Sequence, residues 1–101
     1  MLNQTVIVGR IVSDPKLNQN EEGKESALIT LAVQRSYKNQ NGEYDTDFVP
    51  VLLWNGIATN AVEYCRKGDL VGAKGRVQSN GEKIEIVAEK ITFLSSKKEE
   101  Q

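Results

Sequence analysis

The residue order predicts an all-β domain, a five-stranded barrel of the OB type with one short helix between strands 3 and 4. Three observations carry that prediction. Five runs rich in β-branched and other apolar residues, at 2–13, 27–35, 48–54, 70–78 and 83–94, are separated by turn signals. Glycines interrupt the first and fourth runs at Gly9, Gly72 and Gly75, where a curved sheet needs a bulge or a close backbone approach. One segment alone has helical spacing: Ile57, Ala61 and Cys65 fall four apart, with Ala58 and Val62 beside them. Three strands, a helix and two more strands is the order of a small closed barrel.

The first run is apolar on both faces, with Val6 and Val8 opposite Ile7 and Ile11, which suggests that one face packs on another subunit. The ordinary alternative is a strand buried inside one barrel. Asn3 and Gln4 are candidates to pair with a neighbouring subunit's edge or to cap the N-terminus. Asp14-Pro15 opens a turn, and the polar, acidic stretch 17–24 reads as a loop. The second run carries Ile29, Leu31 and Val33 on one side. Asn41-Gly42 is a hairpin turn signal, so the second and third strands form a hairpin with a long tip over 37–47. Pro50 lacks a donor, which predicts an unpaired position or a bulge in the third strand. Asn55-Gly56 ends that strand. Arg66 and Lys67 suit the helix C-terminus, and Gly68 suits its stop. In the last run the alternation Ile84, Ile86, Ala88 shifts to Ile91 and Phe93, which predicts a bulge or bend. The domain is expected over 1–95, with a disordered polar tail over 96–101.

The third run is the most informative. Side chains in a strand alternate faces, so Phe48, Pro50, Leu52 and Trp54 share one face and Val49, Val51 and Leu53 the other. The second set is purely aliphatic and suits a core. The first carries an aromatic at each end. Rings on a sheet face with cations on neighbouring strands are what single-stranded nucleic acid needs, because bases stack on the rings and phosphates meet Lys and Arg. The ordinary alternative is that Phe48 and Trp54 are core aromatics.

Composition narrows the alternatives. The 101 residues suffice for one domain with a modest core. No apolar run approaches the roughly 20 residues of a membrane span, and the N-terminus has no signal-peptide pattern. A cytoplasmic location is therefore the expectation. With no His and a single Cys65, neither a nucleophile–base pair nor a metal-ligand cluster is visible, so no enzyme, metal or cofactor is expected. Cys65 reads as a small apolar residue on the buried helix face. The net charge of −1 is low for a nucleic-acid binder. Its distribution is uneven, however. Residues 26–42 hold Arg35 and Lys38 with no acid, and 64–81 hold Arg66, Lys67, Lys74 and Arg76 against Asp69.

A series of fragments then matches a known pattern in order and spacing. It runs Met1-Leu2-Asn3, Val8-Gly9-Arg10-Ile11, Asp14-Pro15, Thr30-Leu31-Ala32-Val33, Asn41-Gly42-Glu43, Asp47-Phe48-Val49, Leu53-Trp54, Tyr64-Cys65-Arg66-Lys67-Gly68-Asp69, Gly75-Arg76-Val77-Gln78 and Ile91-Thr92-Phe93-Leu94. With these the chain resembles the bacterial and phage single-stranded DNA-binding proteins over nearly its whole length. The resemblance implies an OB fold that binds single-stranded DNA without strong sequence preference, in replication, recombination or repair. It also implies a homo-oligomer, with a tetramer favoured and a dimer possible. By position it implies stacking on Tyr37, Phe48 and Trp54, with Arg10, Arg35, Lys38, Lys74 and Arg76 on or near the same surface. Two departures stand out. The hairpin between the fourth and fifth strands is reduced to Ser79-Asn80-Gly81-Glu82 and carries no aromatic, which implies a smaller footprint. The sequence closes on Lys97-Lys98-Glu99-Glu100-Gln101 instead of an acidic–apolar tip, so tail-mediated recruitment of other proteins is doubtful. Two rivals remain: a primosome-type accessory OB protein, and an OB module that binds proteins and no nucleic acid.

Overall fold

The computed structural model describes residues 2–96. The elements run β1 (Thr5–Ile11), β2 (Asn18–Gln19), β3 (Glu25–Lys38), β4 (Tyr44–Trp54), α1 (Asn55–Tyr64), β5 (Leu70–Asn80) and β6 (Lys83–Ser95). The sheet order is β1-β5-β6-β4-β3-β2, and β1 also pairs with β3. The five long strands therefore close into a barrel, and the expected OB topology holds. Among the described residues only the β4–β6 pair is parallel, through Val51↔Ile86 and Leu52↔Val87. Closure gives each long strand a partner on both sides for part of its length.

The core follows strand parity. Ala27, Ile29 and Leu31 of β3 meet Val51 and Leu53 of β4, with Ile11, Val71, Ala73, Ile86 and Ala88 from the other strands. The α1 stripe of Ala58, Ala61 and Cys65 packs on this core as the spacing predicts. Burial pushes the Cys65 thiol up, with the Asp69 carboxylate adding to the effect, so it stays protonated and inert. Arg66 donates from Nη1 to the carbonyls of Val62 and Cys65 and so satisfies two groups at the helix end.

The glycine and phase-shift expectations have clear counterparts. A Cβ on Gly9 would lie 2.6 Å from the Ala32 carbonyl oxygen, so only glycine lets β1 and β3 close at that point. Lys74 faces Lys90 but Gly75 faces Ala88, which leaves Glu89 as the extra residue of a bulge in β6. That slip is the shift seen between Ala88 and Ile91. Ile84, before the bulge, is 66% exposed and does not join the core.

Four expectations are corrected. The stretch 17–24 is not all loop: Asn18 and Gln19 pair with Ser26 and Glu25. The Asn20 Oδ1 closes the turn by accepting from the N–H groups of Glu22 and Lys24. The 37–47 arm is partly paired: Asp47 and Thr46 face Val33 and Gln34, and Lys38 faces Tyr44 after an irregularity beyond Gln34. Pro50 does not break the ladder. It lies opposite Thr30, whose carbonyl accepts from the Val12 N–H, so the ring nitrogen faces away from β3. Asn3 neither caps the terminus nor waits for a partner: its amide donates to the Val77 carbonyl and accepts from the Val77 N–H, extending the β1–β5 ladder. The tail expectation lies, beyond Ser96, outside the described residues.

Candidate nucleic-acid interface

The strand register builds an outward face on β3 and β4. Opposed residues there are Ser26 and Trp54, Leu28 and Leu52, Thr30 and Pro50, and Ala32 and Phe48. Opposed residues point to the same side of a sheet, so these eight side chains form one strip. It runs about 20 Å from Phe48 to Trp54, at roughly 3.3 Å per residue. Phe48 is 65% exposed and Leu28 56%, whereas the opposite parity is buried. The core alternative for Phe48 is thereby removed. Trp54 is half-buried where β4 turns into α1, with φ −120° at Trp54. Asn55, at φ 51°, then takes the left-handed conformation that Asn tolerates, and this turns the chain out of the strand.

The register also decides which cations reach the strip. Arg10 lies opposite Ala32, so Arg10, Ala32 and Phe48 make one row across three strands. At about 4.8 Å per strand this puts the Arg10 and Phe48 backbones about 10 Å apart. The Arg10 Nη1 donates to the Gly68 carbonyl, which orients the guanidinium. Arg76 lies opposite Val87, which lies beside Leu52, so Arg76 shares the row of Leu28 and Leu52. Its Nη1 donates to the Gln78 Oε1. Lys74 lies opposite Val6 and Lys90, on a wall that β6 separates from β4.

The β3–β4 arm carries the rest. Tyr37 is exposed near its end, and the Lys38 Nζ stands 5.8 Å from the centroid of the Tyr44 ring. Arg35 has a different setting. It donates from Nε and Nη2 to the carboxylate of Asp47, at 2.9–3.2 Å, and lies 3.7 Å from Asp45. The hydrogen bonds and the charge of Asp47 hold the guanidinium above its already high range. The same hydrogen bonds hold the Asp47 carboxyl below the usual carboxylate range. An acid-free segment in sequence is thus neutralised by acids of the next strand. Arg35 also has the parity of Val33, on the other side from Phe48.

Lys24, beside the strip, and Leu28, within it, were not among the sequence candidates. Lys24, in a stretch read as acidic loop, is carried by the Asn20-closed turn onto the face of Trp54, 4.2 Å from the ring centroid. Leu28 was legible by parity, since Ala27 and Ile29 face the core and Leu28 must face out. Among the described residues no group of His, Cys, Asp and Glu is arranged to hold a metal. No helix of the described residues is long and apolar enough to cross a membrane.

A small closed barrel with an aromatic-ended strip and cations in its rows defines a class: OB-fold proteins that bind single strands. Comparison with known proteins agrees. The sequence model of the Single-strand binding protein family matches residues 2–94. Single-stranded DNA-binding protein B of Bacillus subtilis (strain 168) is 40% identical, over 100% of this chain and 97% of its own length. Single-stranded DNA-binding protein 3 of Listeria innocua serovar 6a is 41% identical over 96% of this chain, which spans only 66% of that protein. Among solved structures, a single-stranded DNA-binding protein from Thermus aquaticus superposes with a TM-score of 0.77 at 26% identity, over 93% of this chain and 41% of the other. The chain belongs to the Single-strand binding protein family.

Proposed function

We propose that single-stranded DNA runs along the Phe48–Trp54 strip, its bases stacked on those rings and its phosphates met by the cations of the adjoining rows. Binding of single-stranded DNA, in the replication, recombination or repair work general to such proteins, follows from the family, as does the absence of an enzymatic role. The route and the residues are the proposal. One observation carries it: the strand register sets Phe48, Leu52, Leu28 and Trp54 on one outward face, with Phe48 and Leu28 exposed, while the alternate residues pack into or against the core. Stacking suits binding without sequence preference, because every base has a π-face.

Arg10, Arg76 and Lys24 supply the positive charge nearest the strip, and Tyr37 with Lys38 extends it along the arm. Arg35 holds the arm in place through Asp47. Lys74 enters as a contact for strand that wraps beyond the strip. A homo-oligomer, with a tetramer favoured over a dimer, is part of the same reading. It is supported by the outward Val6 and Val8 of β1, which are 67% and 48% exposed. A cytoplasmic location completes it.

The test is a titration with a long dT oligomer at low and moderate salt, following the fluorescence of Trp54, the chain's single Trp. Strong quenching that weakens with salt is expected. Binding without any change in Trp54 emission would move the DNA off this strip.

A further inference from the structure

We propose that Glu85 is a positioning residue for DNA binding: a buried carboxylate that aims the Arg76 guanidinium at a backbone phosphate by locking the Gln78 amide between them. The proposal rests on the reading that Arg76 meets a phosphate of the bound strand, and it adds the group that prepares Arg76 to do so.

Strand alternation builds the relay. Arg76, Gln78 and Asn80 stand two apart in β5 and so share its outward face. The register sets them opposite Val87, Glu85 and Lys83 of β6. Val87 lies beside Leu52 of the strip, so this polar column borders the proposed path of the strand. Within the column the Asn80 Nδ2 donates to the Glu85 Oε1 at 3.3 Å, and the Gln78 Nε2 donates to the Glu85 Oε2 at 3.2 Å. The Arg76 Nη1 donates to the Gln78 Oε1 at 3.0 Å.

The chemistry of the two ends fixes the middle. An ionised carboxylate only accepts hydrogen bonds, and a guanidinium only donates them. The Gln78 amide therefore has one satisfactory orientation, with its NH2 toward Glu85 and its oxygen toward Arg76. Turned over, it would set oxygen against oxygen and N–H against N–H. Each bond in such a chain also polarises the next.

Burial is the second argument. Glu85 is 9% exposed, yet among the described residues no cation pairs with it. A buried carboxylate without a counter-ion is unfavourable, and beside a phosphate path it also repels the ligand. Its place is explained by what it does to Arg76. That side chain is exposed and long, with many rotamers open to it. The relay holds one nitrogen of the guanidinium and leaves the others free to meet a phosphate. Such preorganisation lowers the ordering cost of binding.

The test titrates wild type, Glu85→Gln, Arg76→Ala and the double variant with a long dT oligomer across a salt series. Simple electrostatics and the relay predict opposite signs for Glu85→Gln. If charge alone mattered, removing a negative charge beside the path would tighten binding. In the relay, the new amide donates as well as accepts, so Gln78 turns over and releases Arg76. Binding then weakens severalfold. The slope of log affinity against log salt becomes shallower by up to about 0.7, the share of one phosphate contact on a single strand. In the Arg76→Ala background the same change no longer weakens binding. Gln78→Met removes the amide and keeps Glu85, and it should act as Glu85→Gln does. Circular dichroism checks folding, and if Glu85→Gln does not fold, Gln78→Met in the two backgrounds decides. Unchanged or tighter binding, or equal weakening with and without Arg76, overturns the relay and leaves the strip standing. Wild-type affinity and slope in Arg76→Ala would instead remove the phosphate contact itself, and the relay with it.

Discussion

The Lys24 Nζ stands 4.2 Å from the centroid of the Trp54 ring, so the widest stacking surface on the outward face carries its own cation. An ammonium over an exposed indole contributes about 0.5–1 kcal/mol. That is less than the about 1–3 kcal/mol of a stacked base. On the proposed path a base would displace the ammonium and leave it beside the incoming phosphate. Lys24→Ala should make Trp54 more accessible to a neutral quencher such as acrylamide in the free protein. It should also flatten the salt slope by about 0.7. Unchanged quenching by acrylamide would show that Lys24 does not cover the ring in solution.

Trp54→Ala and Phe48→Ala should each weaken dT binding by roughly tenfold or more, given about 1–3 kcal/mol per stacked base. Neither side chain belongs to the buried core, so both variants should keep their circular dichroism spectrum. The salt slope should stay at the wild-type value, because no phosphate contact is lost. A folded Trp54→Ala variant with wild-type affinity would exclude stacking on that ring.

The Arg35–Asp47 pair makes an opposite prediction. Asp47 is held below the usual carboxylate range by its hydrogen bonds from Arg35, so Arg35 stays paired throughout the neutral range. Asp47→Asn removes a negative charge from the arm and loosens the guanidinium, which keeps Asp45 3.7 Å away. Binding of dT should tighten, and the salt slope should steepen by about 0.7 if Arg35 then finds a phosphate. The stability sign runs with the depressed pKa. What the pair contributes is present above the unfolded carboxylate value and lost as pH falls through the lower folded one. Melting temperatures of wild type and Asp47→Asn should therefore converge as the pH drops below about 4. A gap that persists at acid pH would mean that Asp47 acts through something other than its charge.

Much of this was legible from local pattern. Alternation placed Phe48 and Trp54 on one face and Val51 and Leu53 in the core, because that signal depends only on the chain's own geometry. The slip from Ala88 to Ile91 marked the bulge for the same reason. What escaped depends on partners far along the chain. Arg35 looked free because Asp47 comes from the next strand. Lys24 looked like part of an acidic loop until the turn closed by Asn20 laid it on Trp54. Asn3 read as an end cap or as a partner for another subunit's edge until β5 brought Val77 beside it. Pro50 looked like a break because its sequence says nothing about which side of the ladder its nitrogen faces.

The glycines give a final, wholly structural prediction. A Cβ on Gly75 would collide with the carbonyl of Val87 and press on the Ala88 Cα, both backbone in the facing strand at the β6 bulge. Neither atom can swing aside as a flexible side chain would, so the two strands must part. Overpacking of this kind costs about 1–3 kcal/mol. At about 4–8 °C per kcal/mol in a domain of this size, Gly75→Ala should lower the melting temperature by roughly 10 °C. Gly56 is the contrast. It sits in the first turn of α1 with nothing within 4 Å of the added atom and no left-handed φ. Glycine in a helix costs roughly 0.5–1 kcal/mol relative to alanine, so Gly56→Ala should raise the melting temperature by a few degrees. Scanning calorimetry of the two variants checks both signs. Equal melting temperatures would mean that the β5–β6 bulge yields where the backbone packing says it cannot.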